Sequence, residues 1–118
     1  MTAAPWTLTT RAGSQVEHEH LETLEQAIAA LERRVDELEG SAVRGEERIL
    51  SRRIEPVRLV AARLEISGPR SRGRTVRGGV DLRGDGSAEA FTGRVRRAVI
   101  ERRAGESAPE ALRRALTA

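Results

Sequence analysis

The sequence predicts an α+β protein, an antiparallel sheet built from two ββα-like halves with two helices on one face. Three observations carry that expectation. In the run TLEQAIAALERRVDELEG, from Thr23 to Gly40, Leu24, Ile28, Leu31, Val35 and Leu38 recur at helical spacing on one side. Before it, Trp6 to Leu21 alternates with the period of two that belongs to strands. Near the end, SAPEALRRAL repeats the pattern of cap, acid and apolar spacing seen in TLEQAIAAL.

The first forty residues read as strand, turn, strand, helix. Trp6, Leu8 and Thr10 alternate with Thr7, Thr9 and Arg11, and Ala12-Gly13-Ser14 supplies the turn. On the returning strand Val16, His18 and His20 share one side, while Glu17, Glu19 and Leu21 share the other. Thr23 and Gln26 have capping-box spacing, and Gly40 stands where a positive-φ residue commonly closes a helix.

Residues 41–55 form a charged connector compatible with a loop, a short helix at 46–54 or the start of a strand. The run 57–66 fits either period, and its Val and Ile content favours a strand that Gly68-Pro69 ends. GPRSRGRTVRGG, residues 68–79, reads as a mobile Gly- and Arg-rich loop. Val80 to Leu82, the turn at Asp85-Gly86, and Ser87 to Thr92 read as a hairpin, with Phe91 as a core anchor. Gly93 breaks the chain, Arg94 to Arg102 alternates again, and Ser107 with Glu110 caps a short last helix. The order of strand and helix is loosely similar to that of small bacterial proteins of the antitoxin and unknown-function kind, and that similarity implies nothing about a site.

A chain of 118 residues is expected to be a single domain, comprising the ββα unit 1–40, the connector 41–55, and a meander plus helix over 56–118. With Trp6 and Phe91 the only aromatic residues, the core is aliphatic and thin. That favours a homodimer, and the face of Leu31, Val35 and Leu38 is the candidate interface. No apolar run has the length of a membrane span, so the expectation is a soluble, cytoplasmic, bacterial protein without a membrane partner.

All 21 basic residues are Arg, a usage that codon bias in a GC-rich genome explains better than selection for bidentate anion contacts does. Residues 1–50 hold 5 Arg and 10 Asp or Glu, a charge of −5. Residues 51–118 hold 16 Arg and 8 Asp or Glu, a charge of +8. The candidate nucleic-acid-binding residues are therefore Arg70, Arg72, Arg74, Arg77, Arg94, Arg96, Arg97, Arg102 and Arg103.

Other motifs carry less. His18 and His20, two apart on a strand, suit zinc, but the chain has no further His and no Cys to complete a site, so no metal or cofactor is expected. Arg83-Gly84-Asp85 is what a hairpin turn requires. No nucleophile elbow, phosphate loop or carboxylate pair points to an enzyme. The sequence thus predicts a binding or regulatory module, with a polyanion as ligand or, alternatively, a protein partner or a second copy.

Overall fold

A computed structural model describes residues 4–51, 60–71, 74–84, 87–93 and 97–117, with backbone alone at 39–51, 60, 70, 71 and 74. The elements are β1 (Trp6–Ala12), β2 (Gln15–Leu21), α1 (Leu24–Ser51), β3 (Val60–Ser71), β4 (Arg74–Arg83), β5 (Ala88–Thr92), β6 (Ala98–Val99) and α2 (Ala108–Thr117). One antiparallel sheet has the order β2-β1-β3-β4-β5-β6. The first half is the expected ββα unit, and the second is a four-strand meander closed by a helix. None of the described helices is long and apolar enough to cross a membrane.

Both helices lie on the same face. Leu8, Leu64, Ile66, Val80, Leu82 and Ala90 of the sheet meet Ala27, Ile28, Leu31 and Val35 of α1 and Ala108, Ala111 and Leu112 of α2 in one buried cluster. Each fully buried Leu, Ile or Val side chain contributes about 1.5–3 kcal/mol relative to exposure.

Local chemistry sets the helix starts. The Gln26 amide donates to Thr23 Oγ1 at 3.1 Å, and Gln26 Oε1 accepts from the amide of Glu22 at 3.0 Å, so this box closes one residue earlier than usual. At α2 the reciprocal pair is complete: Glu110 N donates to Ser107 Oγ at 3.2 Å and Ser107 N donates to Glu110 Oε1 at 3.0 Å. Gly40 does not end α1, which continues to Ser51. A helical Gly costs only about 1 kcal/mol against Ala, and the Ala, Arg, Glu and Leu residues that follow favour propagation.

The Gly-rich stretch departs most from expectation. Residues 68–71 and 74–79 are strand and not loop, as the arms of the β3–β4 hairpin. Its glycines serve close approach. A Cβ on Gly68 would lie 2.2 Å from the Trp6 ring, and one on Gly78 would lie 2.7 Å from Leu112 Cδ1. Gly68 and Pro69 fall in the register shift between Ser67 and Arg70, where a missing amide donor is tolerated. At Gly79 a Cβ would meet the Leu64 carbonyl at 2.3 Å and Phe91 Cζ at 2.8 Å.

Phe91 is buried, yet on the face away from the helices and outside their core, because the register sets it beside Gly79. Of the strand expected over 94–102, residues 94–96 lie outside the described residues, and within 97–102 the strand is Ala98–Val99, with Ile100 N still donating to Ala90 O at 2.9 Å. Beyond it Arg114 pulls the chain toward α2 by donating to the Glu101 carbonyl at 2.9 Å. Gly13 (φ 60°) and Gly93 (φ 88°) take the left-handed conformation at their turns. The Asp85-Gly86 turn lies outside the described residues, although Arg83 N donates to Ser87 O at 2.8 Å across it.

Arg114 also holds Glu106 through two hydrogen bonds of 3.0 Å, and the Arg103 amide adds a third at 3.0 Å. These bonds, the Arg114 pair foremost, lower the Glu106 carboxyl from 4.5 to about 2. A carboxylate depressed in this way stabilises the fold fully above its unfolded value, and the contribution fades as pH falls from about 4.5 toward 2. Glu106→Gln is therefore expected to unfold at lower urea than the parent at pH 7, with the difference narrowing near pH 2.5. A difference that stays constant with pH would contradict this. Gly79→Ala is expected to cost about 1–3 kcal/mol in urea unfolding, since backbone at Leu64 must move.

Candidate binding surface on the open sheet face

Strand pairing arranges the uncovered face in rows. His20, Thr7, Ser67 and Arg77 form one row across β2, β1, β3 and β4. His18, Thr9, Glu65, Gly79, Phe91 and Val99 form the next, and Val16, Arg11, Arg63, Asp81 and Glu89 the third. This face is charged where the helix face is aliphatic.

Ion pairs cover much of it. Arg63 grips Asp81 with two hydrogen bonds, Nε to Oδ1 at 2.6 Å and Nη2 to Oδ2 at 3.0 Å. The Asp81 hydrogen bond raises the Arg63 pKa above its ordinary value, burial opposing it. Arg83 meets Glu89 at 2.8 Å, and Arg11 lies 3.8 Å from Glu65. The guanidinium carbons of Arg63 and Arg97 sit 5.8 and 5.3 Å from the Phe91 ring centre, a cation–π arrangement that leaves Phe91 only 3% exposed. Arg63 and Asp81 are not among the site residues the sequence predicts, although Arg63 and Glu65 alternate with Leu64 and Ile66 and so signal a polar face opposite the core.

The topology brings part of the expected arginine set together. Arg70 pairs with Thr75 and Ser71 with Arg74 at the far end of the β3–β4 hairpin. Gly93 N donates to Arg77 O at 3.1 Å, which brings the β5–β6 connection to that same end. Arg70, Arg74, Arg77 and Arg97 thus converge there, with the Arg77 and Arg97 side chains on the open face. Among the described residues, neither Arg77 nor Arg97 holds an ion pair.

Arg102 and Arg103 are elsewhere. Arg102 lines a cleft of about 300 Å³ with Glu32 and Asp36 of α1, Ser87 and the start of α2, at the opposite end of β5. Arg103 follows it on the exposed approach to α2. Arg72, Arg94 and Arg96 lie outside the described residues, as do the side chains of Arg70 and Arg74.

The face offered by the sequence as an interface is occupied by the chain's own sheet. Leu31 is 0% and Val35 4% exposed, and Leu38 packs half-buried against the same core. The exposed large apolar side chains among the described residues are Val16 and Val99, both on the open face. His18 and His20 are exposed on β2, where Thr9 Oγ1 lies 3.0 Å from His18 Nδ1 and Thr7 Oγ1 lies 3.3 Å from His20 Nδ1. No family model, curated protein or solved structure matches this chain.

Asp81→Ala leaves the partly buried Arg63 guanidinium without its carboxylate. It is expected to lower unfolding stability by about 1–3 kcal/mol in a urea titration. A loss no larger than that of an exposed substitution such as Glu19→Ala would remove the clamp as a stabilising feature.

Proposed function

We propose that this protein is a small binding module, not an enzyme, that takes up a polyanion, with nucleic acid the foremost class, through the basic end of its open sheet face. One observation supports the reading above the others: strand register and the Gly93–Arg77 hydrogen bond gather Arg70, Arg74, Arg77 and Arg97 at one end. Arg is suited to the task because its planar fork contacts two phosphate oxygens at once.

Sequence readout is not part of this reading. Base stacking needs exposed rings, and Phe91 is enclosed by Arg63 and Arg97 while Trp6 lies against Gly68. The contacts left are to phosphates, so affinity should depend strongly on salt. The setting in this reading is the bacterial cytoplasm.

A second reading, docking of a protein partner, is favoured by the exposure of Gln15 through His20 along β2 at the sheet edge.

Fluorescence anisotropy with labelled duplex DNA and single-stranded RNA at several salt concentrations separates the two. The variant Arg77→Ala/Arg97→Ala is expected to bind at least about tenfold more weakly, with a salt slope reduced by about 2. Arg102→Ala/Arg103→Ala, at the other end, is expected to bind as the parent does. Equal weakening by both variants, or no binding by the parent at low salt, would overturn the polyanion reading.

A further inference from the structure

The chain's only two histidines are aligned in adjacent rows of one exposed face, and each is oriented by a threonine of the neighbouring strand. His18 pairs with Thr9 and His20 with Thr7 in the β1–β2 register, and the hydroxyls lie 3.0 and 3.3 Å from the two Nδ1 atoms. In the tautomer with its proton on Nδ1, each ring donates that proton to the threonine oxygen. The Nε2 lone pair is then free at the surface. Metal-bound histidines commonly have this second hydrogen bond, which fixes the ring and raises the basicity of the ligating nitrogen.

We infer that His18 and His20 are half of a divalent transition-metal site, binding Zn²⁺, Cu²⁺ or Ni²⁺ through their Nε2 atoms, and that a second copy of this chain supplies the other half. Side chains two apart on a strand share a face with a backbone separation of roughly 7 Å, within reach of rings that tilt toward a common ion. Imidazole is a ligand of choice for all three metals.

The second copy is argued from composition and charge. Two imidazoles fill half of a tetrahedral shell, and the chain contains no third His and no Cys. Among the described residues, no group of three or more His, Cys, Asp or Glu could hold an ion. The missing nitrogen donors therefore come from an equivalent pair. The pair lies on an edge strand, where two copies can approach without displacing any element of the sheet. An antiparallel meeting of two such strands about Glu19 sets His18 of each copy opposite His20 of the other, and Glu19 against its counterpart. Like charges oppose that contact, and a divalent cation between the imidazoles offsets the repulsion, so association depends on metal.

The test uses untagged full-length protein titrated with ZnCl₂ and with NiCl₂, read by calorimetry and by sedimentation velocity. The expected result is one metal per two chains and a doubling of mass that EDTA reverses. His18→Asn/His20→Asn, checked for folding by circular dichroism, is expected to lose both signals. Thr9→Val is expected to keep its unfolding midpoint within experimental error while metal affinity falls about tenfold. Thr9 acts here as a positioning residue. A monomeric complex with one metal per chain, binding unchanged in the double variant, or no heat and no change in mass would each overturn the four-imidazole site.

Discussion

The pairing of β1 with β3 is the interaction on which the rest of the structure depends. Six residue pairs, from Thr7–Ser67 to Ala12–Ala62, join the amino-terminal hairpin to the carboxy-terminal meander and make one sheet of two. Leu8 opposite Ile66 and Thr10 opposite Leu64 put this seam under α1, and α1 touches β1, β3 and β4 together. The helix is thus seated on both halves. Without the seam neither half would cover it, because the hairpin offers little buried apolar surface beyond Leu8. The same pairing continues each open-face row from β2 to β4, so the fold and the candidate surface share one origin.

The two faces solve different problems with the same strands. Helices shield one. On the other, Phe91 takes the space left by Gly79, and Arg63 closes over it while holding a nearly buried Asp81. No buried side-chain nitrogen or oxygen among the described residues is left without a hydrogen-bond partner. This matters because an unpaired buried carboxylate costs far more than a paired one returns. The clamp lets a face without helices keep an aromatic ring dry.

What was legible in the sequence was local. The caps at Thr23 and Ser107, the turn at Gly13 and the core spacing of Leu24 to Leu38 depend on neighbours within a few residues, and they form where the sequence places them, except that the Gln26 side chain accepts from Glu22 and not from Thr23. Gly78 and Gly79 could not be read that way. Their purpose is set by Leu112, Leu64 and Phe91, which lie 12 to 34 residues away in sequence. A glycine admitting a neighbour and a glycine loosening a loop are the same letter. Phe91 reads as a core anchor and is buried, but its parity with Glu89 places it on the polar face and not among the residues under the helices. The candidate site was half legible for the same reason. Arginines were countable, whereas the register that brings Arg77 toward Arg97 and leaves Arg102 at the opposite end was not.

Composition also overstates how much cationic surface is free. Arg34, Arg63, Arg83, Arg113 and Arg114 each sit within 3.0 Å of a carboxylate oxygen. Basic side chains without an ion pair among the described residues remain at the hairpin end, in the row that starts with His20 on β2 and reaches Arg77 on β4. Three strand spacings separate those residues, about 14 Å. At 0.1 M ionic strength the screening length is about 10 Å, so a cation held at His18 and His20 acts only weakly on a phosphate at Arg77. Direct electrostatics therefore leaves the two proposed sites nearly independent. Coupling between them has to come through assembly: a metal-joined pair carries two basic ends on one particle, and a long polyanion that spans both is held by avidity without any new contact.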